Sequence, residues 1–441
     1  NMSALVAIVG RPNVGKSTLF NRLIGFNKAI VDDQPGVTRD RNYAQVTLAG
    51  RSVTLVDTGG FEPDLKEGLM AQVRDQTLMA LDEADLTVFL ADGKEGLNPH
   101  DQDLLDVLRR SGRPFILAVN KIDGPEKEDA LAEFFSLGVE PILSLSAAHG
   151  YGIRDFVDHL TRMLPKAEEG LFLKGAVRVA VIGRPNVGKS SLVNKLLGEE
   201  RTLVTDIPGT TRDPVDVAVE HQGQTYVFVD TAGIRRKGRV SVKLEKFSVM
   251  RALKSLERCD VALLLIDSLE GITDQDAHVA GYALERGRGL IVIFNKWDLV
   301  NDKRAEQKRI KDRLELKLKF MSFAPYLTAS ALTGLRVSRI FTLVDEVFAQ
   351  YCLRASTGRV NRVIERAVQA HTPPYVGRSR LKIFYATQAS TRPPTFVLFV
   401  NRPDKVHFSY KRYLANCLRE AFKLDKIPIR VLIRPRHKDK K

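Results

Sequence analysis

Residues 10–18 read Gly-Arg-Pro-Asn-Val-Gly-Lys-Ser-Thr, and residues 183–191 read Gly-Arg-Pro-Asn-Val-Gly-Lys-Ser-Ser. Each stretch follows a short apolar run rich in β-branched residues, "ALVAIV" (4–9) and "VRVAVI" (177–182), as a buried strand requires. Each leads into a helical pattern, "STLFNRLIG" and "SSLVNKLLG", with Gly25 and Gly198 expected just past the helix end. A strand, a glycine loop and a helix start in that order make a phosphate cradle. The glycines let the backbone close on the anion, and N–H groups at the helix N-terminus point at it.

Working outward, the duplication covers whole domains. A hairpin turning at a glycine follows each loop: "NYAQVTLAGRSVTLVDTGG" (42–60) and "VDVAVEHQGQTYVFVDTAG" (215–233). "DLTVFLADG" then matches "DVALLLIDS", "RPFILAVNKID" matches "GLIVIFNKWD", and "EPILSLSA" matches "APYLTASA". Strands alternating with helical segments predict an α/β fold, a mainly parallel sheet with helices on both faces, built twice. The first unit is expected at 1–164, a linker at 165–175 and the second unit at 176–351. From 352 to 441 the rhythm changes to helix, strand, strand, helix, strand, a small α+β layer. "RPRHKDKK" (434–441) is expected to be a disordered tail.

Charge is concentrated in that last segment. The chain holds 68 Lys and Arg against 53 Asp and Glu, and 21 of the former but only 5 of the latter lie in 352–441. A basic domain of this kind is a credible RNA footprint through counterion release, or else a solvated or docking face. No apolar run is long enough to span a membrane and no leader pattern opens the chain, so a cytoplasmic location is expected. Cys259, Cys352 and Cys417 lack metal-binding spacing.

The motifs name the ligand. In the two loops, Gly10, Arg11, Pro12, Asn13, Val14, Gly15, Lys16, Ser17 and Thr18 pair with Gly183, Arg184, Pro185, Asn186, Val187, Gly188, Lys189, Ser190 and Ser191. Lys16 and Lys189 would neutralise the β- and γ-phosphates, and the Ser17 and Ser190 hydroxyls would ligate Mg²⁺. Asp57, Thr58, Gly59 and Gly60, and in the second copy Asp230, Thr231, Ala232 and Gly233, form DxxG at the same distance from their loop lysines. Asp57 and Asp230 would hold Mg²⁺ through water, and the Gly60 and Gly233 N–H groups would meet the γ-phosphate, forming a switch. Thr38 and Thr211, in "PGVTRD" and "PGTTRD", are the candidate threonines that close onto Mg²⁺. The candidate catalytic set is therefore Lys16, Thr38 and Gly60, with Lys189, Thr211 and Gly233.

The base follows from NKxD: Asn120, Lys121, Ile122 and Asp123, then Asn295, Lys296, Trp297 and Asp298. A carboxylate here accepts two hydrogen bonds from guanine, whereas adenine lacks that donor pair and would leave the charge unpaired. Ser146 and Ala147, with Ser330 and Ala331, sit at later strand ends where a backbone N–H can reach the guanine oxygen. The ligand set is thus GTP or GDP with Mg²⁺.

Two tandem units of this kind ahead of a small basic domain resemble the Der (EngA) family of bacterial GTPases, over essentially the whole chain. The resemblance implies a factor in assembly of the large ribosomal subunit, contacting it and its rRNA. It also implies a KH-like C-terminal domain without the GxxG clamp, and no GxxG occurs from Thr357 onward. The 165–175 linker is shorter than the acidic linker of many relatives. Phe61 and Ile234 occupy the place where many GTPases carry a water-orienting glutamine. Related GTPases with Asn in GxPNxGKS use K⁺ beside the phosphates, which assigns K⁺ to Asn13 and Asn186 and implies slow, K⁺-stimulated turnover. The alternative is a non-catalytic GTP-sensing RNA scaffold. No DNA partner is expected, and the chain is expected to be a monomer. "RRKGR" (235–239) is a candidate RNA contact governed by the second switch.

Overall fold

In the computed structural model the described residues are 4–25, 43–58, 77–78, 80–81, 84–165, 175–198, 205–206, 216–231, 245–372, 375–376 and 379–435. They divide into two compact units, Asn1–Gly170 and Leu171–Lys441.

In the first unit, β1 (Ala4–Val9) lies between β3 (Arg51–Asp57) and β4 (Leu86–Asp92). With β2 (Tyr43–Leu48), β5 (Phe115–Asn120) and β6 (Ile142–Ser144) the sheet order is β2-β3-β1-β4-β5-β6. Every neighbouring pair is parallel except the β2–β3 hairpin. Ala49 and Gly50 close that hairpin at φ 45° and 81°, the paired positive angles of a type I′ turn. Val6, Ile8, Val88 and Leu90 share a core with Leu19 and Leu23 of helix Lys16–Gly25 and with Phe156 and Leu160 of helix Ile153–Met163. Their sequence neighbours Leu5, Ala7, Phe89 and Ala91 are equally buried. Both faces of the sheet are therefore covered, which is why these strands read as continuous apolar runs.

The second unit repeats the plan. Its strands are β7 (Val177–Ile182), β8 (Thr205–Asp206), β9 (Val217–His221), β10 (Gln224–Val229), β11 (Val261–Asp267), β12 (Gly289–Asn295) and β13 (Tyr326–Thr328). They run β13-β12-β11-β7-β10-β9-β8, with Gln222 and Gly223 making the same positive-φ turn between β9 and β10. The basic segment follows as helix Thr357–Ala370, the short pair β14 (Tyr375–Val376) and β15 (Ser379–Arg380), β16 (Ile383–Thr391), β17 (Pro394–Val400), helix Phe408–Ala421 and β18 (Arg430–Pro435). β17 is antiparallel to β16 and parallel to β18.

The repeat and the basic layer share one core. It runs from Val179 and Ile293 through Val344, Val347 and Tyr351 of helix Arg339–Tyr351 to Val360, Leu398 and Leu418. Polar ties reinforce it: the Gln388 side chain accepts from Ala355 N at 2.6 Å and donates to Leu353 O at 2.8 Å.

Two sequence expectations change. Gly25 and Gly198 are the last residues of their helices, and neither has positive φ. Helical hydrogen bonding persists through them, so they do not serve as left-handed stops. β18 also continues through Arg434 and Pro435, held by its parallel pairing with β17, so the stretch read as a tail begins as strand. Among the described residues no helix is long and apolar enough to cross a membrane.

Candidate nucleotide-binding sites

Both loops are shaped by contacts that leave no room for a side chain. A Cβ on Gly10 would strike the Leu90 carbonyl oxygen, and one on Gly15 would strike Asn120 Nδ2. Gly183 and Gly188 face Leu265 O and Asn295 Nδ2 in the same way. Val14 and Val187 bury their side chains as plugs beneath the loops. Asn13 and Asn186 carry the left-handed turn at φ 64° and 62°, and both are exposed. The Lys16 ammonium donates to Gly10 O at 2.9 Å and Arg11 O at 2.7 Å, and Lys189 donates to Gly183 O at 2.7 Å and Arg184 O at 2.5 Å. Burial, with Arg251 nearby adding repulsion, pushes the Lys189 ammonium down to about 8. A phosphate at this place would relieve both costs.

Each NKxD asparagine is a structural bridge. Asn120 Nδ2 donates to Val14 O at 2.8 Å while Asn120 Oδ1 accepts from Ala147 N at 2.9 Å. Asn295 repeats this with Val187 O at 2.7 Å and Ala331 N at 2.9 Å. One buried amide thereby locks the phosphate loop to the strand-end turn beside the base. Ile122 and Trp297 are both buried. Lys121 pairs with Asp92, and Lys296 with Asp267 at 2.6 Å.

The two NKxD carboxylates are set differently. Asp123 accepts from Lys127 at 2.9 Å and from Ser146 Oγ at 2.9 Å, with Lys94 at 3.5 Å. The Lys127 hydrogen bond, then that of Ser146, holds its carboxyl down to about 2. Asp298 Oδ1 is buried with no hydrogen-bond partner among the described residues. An acceptor oriented without a donor is what guanine's N–H groups would complete.

At the strand ends Asp57 is buried, and Thr58 Oγ1 beside it donates to Ile8 O at 2.8 Å. Asp230 departs from its twin: it sits at φ 65°, and its carboxylate accepts from Ser255 Oγ at 2.9 Å. Ser17 is exposed and Ser190 half-buried at the starts of their helices. Thr38, Gly59, Gly60, Phe61, Thr211, Ala232, Gly233, Ile234 and the 235–239 basic run lie outside the described residues.

A family model described as "50S ribosome-binding GTPase" matches residues 5–121 and again 178–296, and one described as "KH-domain-like of EngA bacterial GTPase enzymes, C-terminal" matches 354–434. Curated proteins called GTPase Der are similar along their whole length. That of Syntrophobacter fumaroxidans is 53% identical, covering 98% of both chains. That of Geotalea daltonii is 48% identical over 99% of both, and that of Syntrophotalea carbinolica 50% over 98% of this chain and 99% of its own. This chain belongs to the GTPase Der family.

As a Der-family GTPase it carries the P-loop domain twice, and a guanine nucleotide with Mg²⁺ is the ligand class of both copies. The residues fit that ligand: each loop has a glycine cradle that a Cβ would fill and a lysine folded back onto it, and the second copy adds the orphaned oxygen of Asp298 on its base side. Sequence reading missed three supports. Arg11 bonds Asp101 at 2.8 Å and Glu95 at 3.1 Å, and Arg184 meets Glu270 at 2.6 Å and Asp276 at 3.4 Å. Asp101 and Asp276 also complete capping boxes with Asn98 and Thr273, so each loop is pinned to the start of a helix. Arg22 holds the first strand-end turn by donating to Ala147 O at 2.8 Å, and Lys195 occupies the matching place in the repeat. The signal available was the recurrence of Glu and Asp at matched positions in "GKEGLNPHD" and "SLEGITDQD".

Proposed function

We propose that this Der-family GTPase is a ribosome-assembly factor whose two nucleotide switches control docking on the large ribosomal subunit or its precursor. The observation that carries the reading is the duplicated cradle: both loops, both asparagine bridges and both base-side carboxylates are present. The description of the matching family model as 50S ribosome-binding, and the basic C-terminal domain, support rRNA as the partner.

In this reading the functional units are 1–164 and 176–351, the linker is 165–175 and the KH-like domain is 352–441, and the chain acts as a cytoplasmic monomer. Lys16 and Lys189 hold the transferred phosphate, Asp123 and Asp298 select guanine, and Thr38, Thr211, Gly60 and Gly233 respond to the γ-phosphate. Ser17, Thr38 and Asp57, with Ser190, Thr211 and Asp230, would hold Mg²⁺, which supplies charge neutralisation at the phosphates. The amide oxygens of Asn13 and Asn186 are placed on exposed left-handed turns, which suits a K⁺ ligand; turnover is slow without K⁺ and without the ribosome.

Cosedimentation with large subunits under GDP, GTP and a non-hydrolysable analogue tests the switch. Binding that differs among the three states supports it, and binding indifferent to nucleotide overturns it. GTP turnover faster in KCl than in NaCl, and lost in Asn13→Ala with Asn186→Ala, tests the potassium role against a non-catalytic scaffold.

A further inference from the structure

The KH-like sheet has a second face. Helices Thr357–Ala370 and Phe408–Ala421 share a core with Ala386, Phe396, Leu398, Val400 and Val431. Strand alternation turns Tyr385, Phe399 and Arg434 the other way. The register sets Tyr385 opposite Phe399, and Phe399 opposite Arg434, so the three lie in one row across β16, β17 and β18. The two rings stack with centroids 4.4 Å apart and planes 11° from parallel. Tyr385 is 44% exposed, and Arg434, across Phe399 from it on β18, is exposed too. Lys382, exposed at the start of the same sheet end, lies over the Phe384 ring.

The other end of the sheet is the one tied to the second repeat. There Arg392 lies over Phe348, Pro393 abuts Gly287, and Arg430 donates to Glu285 O. The aromatic row is at the end away from these ties. A cross-strand aromatic pair also stiffens a hairpin. That role needs neither a ring left open to solvent nor a cation in line with it.

We infer that Tyr385, Phe399 and Arg434 form a stacking platform for unpaired bases of single-stranded RNA. The inference rests on the proposed rRNA partnership and gives it a site. Charge complementarity selects the occupant, since 352–441 carries 21 basic and 5 acidic residues. An unstacked base presents a flat π face to an aromatic ring or a guanidinium plane, while its phosphates meet the surrounding cations. The absence of GxxG in this domain removes the usual clamp between helices, and the sheet row offers a different means of hold.

The test uses the full-length protein, with a labelled single-stranded uridine RNA of about 12 nucleotides and a duplex of the same length as probes. Anisotropy is expected to show single strands preferred, and Tyr385→Val to weaken that binding about tenfold or more. Tyr385→Phe restores it, and Arg434→Gln lowers both affinity and the salt slope, the slope by about one. GDP binding unchanged in each variant shows that the fold is kept. If Tyr385→Val binds single strands as the wild type does, or loses duplex binding equally, the platform is wrong although the RNA partnership stands. If the wild type binds neither probe at low salt, the partnership itself fails.

Discussion

Arg11 Nε donates to Asp101 Oδ1 at 2.8 Å, tying the second residue of the first phosphate loop to the first turn of helix Pro99–Ser111. Asp101 is fully buried and also accepts from Asn98 N. Removing one partner of such a pair leaves a buried charge uncompensated, at a cost of about 3 kcal/mol. Arg11→Met is therefore expected to lower the urea midpoint of the first unit. Arg11→Met with Asp101→Leu should cost less than the sum of the singles, as a double-mutant cycle measures. Strict additivity would show that the bond does not couple loop and helix.

The asparagine bridge makes a parallel prediction for the second loop. Asn295→Ala leaves Val187 O and Ala331 N buried without partners, about 1–3 kcal/mol each. GDP affinity at that copy should fall at least tenfold while the first copy is unchanged. Equal affinity in calorimetry would mean the loop holds its shape unaided.

Glycines separate by position. Gly15→Ala and Gly188→Ala drive a methyl into the bridging asparagine at positive φ, and each should abolish nucleotide binding at its own copy. Gly25→Ala and Gly198→Ala meet nothing within 4 Å and sit in helical backbone. Those two should raise stability by about 0.4–1 kcal/mol each in thermal unfolding. A loss at Gly25 or Gly198 would contradict the helical assignment.

Asp123 gives a pH prediction. Its carboxyl is held down to about 2, first by Lys127 and then by Ser146. The stabilisation of a depressed carboxylate is complete above the ordinary aspartate range near 3.9 and is lost as pH falls through about 2. Carboxyl-carbon NMR of the nucleotide-free protein should follow that titration, and Lys127→Ala should move it up toward the ordinary value. No movement would assign the depression elsewhere.

The alternation of apolar runs disclosed both sheets, because strands covered on two faces must be apolar at every position. Matched intervals disclosed the loops, the DxxG aspartates and NKxD for a similar reason: each sits where a strand ends, and strand ends are local. What stayed hidden depends on contacts between distant segments. The Arg11–Asp101 bond spans 90 residues and the Arg22–Ala147 bond 125, and no periodicity encodes either. The core shared by the second repeat and the KH-like layer was hidden too, since Val347 and Leu398 are apolar whichever neighbour they meet. Asp230 looked identical to Asp57 in sequence, yet its left-handed backbone and its bond to Ser255 set the copies apart.

The central claim is that each copy is a complete guanine site read by its own aspartate. Calorimetric titration of GDP and xanthosine diphosphate into the wild type, Asp123→Asn and Asp298→Asn tests it most directly. Xanthine replaces guanine's exocyclic amine with a carbonyl, so an amide donor suits it where a carboxylate does not. The wild type is expected to bind two GDP per chain, and each variant one GDP and one xanthosine diphosphate. A wild type that takes a single GDP, or a variant that still takes two, would contradict it.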